Sequence, residues 1–206
     1  MSQFFQIHAE TPQLRLVKQV VEEIKRGAVI IYPTDSGYAI GCGLGEKNAL
    51  DRIRKIRKLD DKHNFTLVCR DLSDIGVYAK VDNSNYRLLK HHTPGGFTFI
   101  LKATNEVPKR LLHAKRKTVG LRVPDNAIAM AILEELGEPL MSVSLIMPGE
   151  ELPMIDPYEI RDVLSSQVDL IIDGGYCGME ATSVVELFDE QPNVIREGLG
   201  DVSAFR

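Results

Sequence analysis

Apolar positions recur along the chain with two periods, and the switches between them mark out the elements. Val17, Val20, Val21 and Ile24 fall at helical spacing. Thr11-Pro12 before them reads as a hydroxyl cap with proline at the first helical position, and Gly27 closes the helix. The unbroken apolar run Ala28 to Tyr32 suits a buried strand, expected to end at Pro33, which cannot donate to a sheet ladder. A polar turn, Thr34-Asp35-Ser36-Gly37, leads back into apolar sequence spaced by Gly41, Gly43 and Gly45. Such a turn lets backbone N–H groups approach a ligand without Cβ interference; it equally suits a tight strand-turn-strand with no ligand.

The alternation continues to the end of the chain. Leu50, Ile53, Ile56 and Leu59 form the inward stripe of a helix from Lys47 to Lys58. Phe65–Cys69 reads as a strand, Leu72–Tyr78 and Ser84–His91 as short helices, and Phe97–Lys102 and Thr118–Val123 as strands. Asp125 is expected to cap a helix carrying Ile128, Ile132 and Leu136 and stopping at Gly137. Met141–Ile146 reads as a strand, Tyr158–Ser165 as a helix, and Leu170–Asp173, Ser183–Leu187 and Asn193–Arg196 as the last strands. Helices and strands alternate without repeat or linker. The pattern therefore predicts an α/β fold, one domain over residues 1–206, with a twisted mixed sheet and flanking helices.

Composition changes this picture little: 44% apolar and 26% charged residues are ordinary for a globular protein. No apolar run approaches the ~20 residues a membrane helix needs, so no membrane partner is expected. The first residues lack the features of a signal peptide, which together with three scattered cysteines in no CxxC pair predicts reduced, buried thiols and a cytoplasmic location.

Charge changes the picture more. Residues 1–122 hold 22 Lys and Arg against 12 Asp and Glu, and residues 123–206 hold 3 against 17, giving +10 and −14. That asymmetry predicts an anionic partner for the first half, such as RNA, unless the halves neutralise one another across a shared surface. Arg54, Lys55 and Lys58 in one basic run and Lys115 and Arg116 in another are the candidate nucleic-acid contacts. The GxxxxGK[ST], GxSxG and HExxH patterns are absent, so a P-loop nucleotidase, a serine hydrolase elbow and a zinc protease are not expected, and no metal ligand set is read. His91-His92 are adjacent on a helix, hence divergent, and read as surface or helix-end residues. Hydroxyls gather at three strand ends, Thr34/Ser36, Ser142/Ser144 and Thr182/Ser183, with Arg57, Arg122 and Arg196 near others. Strand ends are where sites of open α/β sheets lie, and such groups suit phosphate or carboxylate.

The segments PTDSGYAIGC, TPGGFTFIL, TVGLRVPD, PLMSVS, TSVVEL and VIREG, in this order and spacing, resemble the YrdC-like proteins, which include the L-threonylcarbamoyladenylate synthases. The run RIRKIRKLDDKHNFTLVCRDL resembles the YciO branch. The resemblance implies a YrdC/RibB-like fold with a concave, positively charged groove that binds a nucleotide or RNA (double-stranded RNA or tRNA). It also implies synthase-like chemistry on ATP, L-threonine and bicarbonate, or handling of the acyl-adenylate without direct RNA binding. No intrinsic cofactor is implied; Mg²⁺ would accompany ATP. By resemblance, Thr34 and Arg122 would contact threonine, Ser142 and Ser183 would line the same cleft, and Arg57, Ser144 and Arg196 would meet the nucleotide. Two positions depart from the family. In an ungapped alignment Leu59 stands for the second cation of its KxR, whereas a shifted alignment that needs an insertion would use Lys55-Ile56-Arg57 and restore both cations. Ile146 stands for the asparagine of its SxN, and synthesis is expected to be weak, altered or absent.

Overall fold

The computed structural model describes all residues, 1–206. In chain order the elements are β1 (Gln3–Gln6), α1 (Leu14–Lys25), β2 (Ile30–Thr34), β3 (Gly37–Gly43), α2 (Lys47–Arg57), β4 (Thr66–Val68), α3 (Leu72–Tyr78) and α4 (Asn83–His92). There follow β5 (Phe97–Lys102), β6 (Thr118–Arg122), α5 (Ala127–Leu136), β7 (Leu140–Ser144), α6 (Pro157–Leu164), β8 (Leu170–Asp173), β9 (Ser183–Glu186) and β10 (Asn193–Arg196). All ten strands join one mixed sheet in the order β1-β8-β2-β3-β7-β4-β6-β5-β9-β10. The expected single-domain α/β architecture is the one observed.

Residues paired across neighbouring strands share a face, so the register divides the side chains into two sets. Leu67, Phe99, Leu121, Met141 and Val185 fall on one face and belong to a core of 34 buried residues. Their neighbours in sequence, Thr66, Thr98, Gly120, Ser142 and Val184, fall on the other. A second core of 18 residues covers that face around β2, β3 and β8 and reaches Leu140 of β7 and Val68 at the end of β4; α1 and α5 pack there with Val20, Ile24, Ile128 and Ile132. Beyond it, over β5, β6 and β9, the second face carries Thr98, Gly120 and Glu186 beside Ile100 and Val184, belongs to neither core and is uncovered by a helix.

Local chemistry departs from the sequence expectation at several points. β1 is short and polar at both ends, and it forms only because β8 offers it a parallel edge. Thr11 does not cap α1. Its hydroxyl hydrogen-bonds the His8 ring (3.0 Å), which also accepts the N–H of Glu10 and Thr11, and the helix starts after Gln13. Pro33 does not end β2 but lies within it, opposite Tyr38. β8 pairs β2 only as far as Ile31, so Pro33 sits at an open edge where a missing donor is tolerated. Asp125 does not cap α5; Asn126 accepts from the N–H groups of Ile128 and Ala129 instead. Cys42 and Cys69 are buried, as expected, but Cys177 is only half-buried. Burial pushes the Cys42 thiol up to about 12 and that of Cys177 to about 11, far from the range in which a thiolate is reactive. His91 is exposed and His92 half-buried, the latter packing edge-on to Phe97 (5.3 Å between centroids) at the end of α4.

Candidate functional site

The turn after β2 is held by its own hydroxyls. Thr34 Oγ1 donates to the Gly37 carbonyl (2.6 Å) and accepts the Ser36 N–H (3.1 Å). Because its proton is committed, the Ser36 hydroxyl 3.2 Å away is the donor of that pair. Gly37 has φ of +111°, and a Cβ there would lie 2.7 Å from Pro153, so the turn requires glycine on both counts. Arg122, arriving at the end of β6, donates from Nη1 to Ser36 Oγ (2.8 Å) and from Nη2 to Asp35. This ion pair is largely buried, and the second Asp35 oxygen accepts the Asp125 N–H (3.0 Å). The Nε–H of Arg122 is buried without any partner. An orphaned buried donor costs about 1–3 kcal/mol, a penalty that an acceptor reaching it would relieve.

Thr34, Ser36 and Arg122 share one hollow with Thr66, Thr98, Ser142, Ser144 and Thr182. Its free volume is about 40 Å³, room for a head group rather than a whole ligand. Tyr32 forms part of the floor, donating to Ser142 Oγ (2.8 Å), which donates on to the Ile40 carbonyl (3.2 Å). Burial raises the Tyr32 hydroxyl to about 12, so it remains a proton donor to Ser142. At Gly41 a Cβ would sit 2.9 Å from the Met141 carbonyl; β3 can approach β7 this closely only without a side chain.

A second hollow of about 250 Å³ adjoins the first, sharing Thr66 and Thr98, and includes Asn64, His113, Arg116, Gly120 and Glu186. A third, about 380 Å³, shares Asn64 and His113 with the second and is lined by Lys62, His63, Arg110 and Lys115 among others, against the single acid Asp61. Burial, followed by the Arg57 charge, pulls the His63 pKa below the ordinary histidine value.

The structure thus brings Thr34, Arg122, Ser142 and Ser144 to one hollow. Arg196 joins it at one remove, donating to the Thr182 carbonyl (2.9 Å) and hydroxyl (3.2 Å), while Thr182 Oγ1 hydrogen-bonds Thr98 Oγ1 (2.9 Å). Ser183 does not join it. It is paired with Phe97 on the opposite face, fully buried, donating to the Gly200 carbonyl (2.6 Å) and accepting the Gly198 N–H (2.8 Å). The hydroxyl that lines the hollow is its neighbour Thr182. Arg57 reaches back from α2 to the carbonyls of Ser144 (2.8 Å) and Ile146 (2.5 Å), and burial lowers its pKa from the usual arginine value.

Of the candidate nucleic-acid contacts, Lys115 lines the third hollow and Arg116 the second, whereas Lys55 and Lys58 are exposed outside all three. Arg54 is engaged within the protein, donating to the Asp60 carbonyl (2.7 Å) and lying 5.1 Å over the Phe65 ring. Leu59 packs against the large core and Ile146 is half-buried. Sequence reasoning missed Asp35 as the partner of Arg122. The signal available was an acid flanked by the two hydroxyls that hold the same arginine.

The halves of the chain do neutralise one another in part, through Arg52–Asp169 and Arg116–Glu186. No three His, Cys, Asp or Glu side chains cluster closely enough to hold a metal ion, and no helix is long and apolar enough to cross a membrane.

Comparison with known proteins adds lineage to this geometry. The chain is 59% identical over 205 residues to YciO of Escherichia coli (strain K12), covering 100% of both, and the crystal structure of E. coli YciO superposes with a TM-score of 0.96. It is 26% identical over 162 residues to the threonylcarbamoyl-AMP synthase of Vibrio vulnificus (strain YJ016), covering 77% of this chain and 86% of the synthase. The fold also matches P. abyssi Sua5 complexed with L-threonine, with a TM-score of 0.87 at 22% identity, over 96% of this chain and 58% of the other. Residues 22–198 match the Sua5/YciO/YrdC family, described as "Telomere recombination", and the chain belongs to that family.

Proposed function

We propose that the uncovered polar face is a positively charged groove that binds RNA or a nucleotide, with an anionic head group seated against Arg122 in the innermost hollow. One observation carries this reading: three adjoining hollows lead from a buried guanidinium with an unpartnered Nε–H to a mouth lined by Lys62, Arg110 and Lys115. The first hollow is too small for more than a carboxylate or phosphate, so the rest of the ligand must lie along the groove. The basic excess of residues 1–122 supports the same reading.

The relation to threonylcarbamoyl-AMP synthases, and the L-threonine in the P. abyssi Sua5 complex, favour a threonine-like carboxylate at Arg122. Chemistry of the synthase type needs positioning and charge neutralisation rather than a protein nucleophile. Any Mg²⁺ would arrive with ATP as part of the substrate. In this chain the Ile146 side chain offers neither donor nor acceptor where the family's asparagine would meet the triphosphate. Losing one hydrogen bond to a charged partner costs about 1.5–3 kcal/mol, or ~10–150-fold in binding. Synthesis is therefore weak or altered here.

Filter binding of a 20-base-pair RNA duplex at two salt concentrations tests the groove: affinity should fall steeply with salt, and a flat response or no binding at low salt refutes it. A second reading, an acyl-adenylate-handling enzyme without RNA binding, is favoured by the small size of the inner hollow. Its test for synthesis is pyrophosphate release from ATP, L-threonine and bicarbonate, which Arg196→Ala should abolish; equal rates in both proteins remove synthesis and leave only hydrolysis of the acyl-adenylate.

A further inference from the structure

The second hollow contains a feature at odds with a simple phosphate tract. Glu186 ends β9 opposite Ile100 on the floor of the polar face, its side chain only 11% exposed. One carboxylate oxygen accepts from Arg116 Nη1 at 2.8 Å and the other from Asn193 Nδ2 at 3.1 Å. Arg116 is 55% exposed and is drawn over this acid by its surroundings. Its N–H donates to His113 Nδ1 (3.1 Å), its carbonyl accepts from Lys102 Nζ (2.9 Å), and its guanidinium shares the Phe188 ring with Lys102. A fixed, nearly buried carboxylate thus holds a cation that solvent could otherwise deliver to a ligand.

We propose that Glu186 is a specificity-determining residue of the groove: it competes with RNA phosphate for Arg116 and so keeps the centre of the groove from binding polyanions indiscriminately. The inference rests on the RNA-binding reading above. A phosphate entering the second hollow meets the Glu186 charge, and taking Arg116 away would leave that carboxylate with Asn193 alone. Both effects oppose binding, and specificity commonly comes from such built-in repulsion. Neutral, hydroxyl- or amine-bearing groups meet no such opposition, because Glu186 can accept their hydrogen bonds.

The test is salt-dependent binding of the same RNA duplex by the full chain and its variants. Glu186→Gln keeps shape and the Asn193 contact, and should tighten binding by about tenfold at low salt while steepening the salt dependence by about one counterion. Arg116→Ala alone should not tighten binding, because the cation is already engaged and its removal bares the Glu186 charge. The double variant should lose the gain of Glu186→Gln. Asp189→Asn, removing an exposed charge nearby, should have a far smaller effect than Glu186→Gln. Salt-dependent binding by the parent with no gain in Glu186→Gln overturns this inference while leaving the RNA reading standing. So does a gain that survives Arg116→Ala, which would mean simple repulsion. Tighter binding by Arg116→Ala alone overturns the inference even if Glu186→Gln folds poorly, because the variant removes the cation that Glu186 is said to withhold and bares the acid. No binding at low salt by parent or variant defeats the RNA reading itself.

Discussion

The two faces of the sheet are made by the same strands, one residue apart, and they serve different ends. On one face Leu67, Phe99, Leu121 and Met141 are fully buried beneath helices. On the other, Thr66, Thr98, Gly120 and Ser142 floor a groove that no helix covers. The covered face supplies the apolar burial that holds the domain together, which frees the other to keep polar groups that burial would penalise. Core packing and the polar hollows are thereby separated by a single step in sequence, and substitutions can test how complete that separation is.

The largest effect is expected from Phe99→Ala, which should cost about 3–5 kcal/mol through lost contacts and a cavity, read as a drop in denaturant midpoint. Its neighbour Thr98→Val, on the groove side, should cost less than about 1.5 kcal/mol. Equal losses would mean that the groove face is as structural as the core. Asp35→Ala comes next, at about 3 kcal/mol, because it strands the buried Arg122 charge; here the separation is incomplete, since the arginine proposed to bind ligand is also held by the fold.

Gly120→Ala should sharpen the comparison. An added Cβ would lie 3.5 Å from Thr98 and 3.6 Å from Thr66, ordinary contacts that leave stability within about 0.5 kcal/mol. The methyl would nevertheless occupy the second hollow and weaken duplex RNA binding several-fold. An unchanged affinity would place the RNA elsewhere.

The smallest effect concerns pH. The pKa of His63 is lowered in the free protein by burial and by the Arg57 charge. A bound phosphate would raise it, so binding takes up a proton and affinity rises as pH falls through and below the ordinary histidine value of 6.5. About two- to threefold between pH 8 and 6 is expected, and His63→Asn should flatten it. The same shift makes the folded state prefer neutral His63. Its contribution to stability is present above pH 6.5 and is lost as pH falls through the lowered value.

Much of this organisation is legible in the primary structure. The strands Phe97–Lys102, Leu170–Asp173 and Asn193–Arg196 stand where periodicity puts them, because their apolar residues alternate or run together at strand length. Gly137 ends α5 in a left-handed conformation, as a glycine there should. β1 was not legible, since Gln3–Gln6 has little apolar content and owes its strand form to β8. Nor was the choice of Asn126 over Asp125 as the cap. Either side chain can cap a helix, and the Asp125 N–H is drawn instead to Asp35, 90 residues away.

The amino-acid sequence by itself determined the order of the elements from α1 onward, the hydroxyls and arginines at strand ends, and the charge imbalance between the halves. Each of these follows from local periodicity, turn chemistry and composition. Only the tertiary structure decided how much of the second face α1 and α5 would leave bare, that Thr182 rather than Ser183 lines the hollow, and that Asp35 and Glu186 would meet Arg122 and Arg116. The physical reason is register: a strand's neighbours, and the helices packed above them, fix whether each alternate side chain meets solvent or core, and a one-residue step reverses the answer.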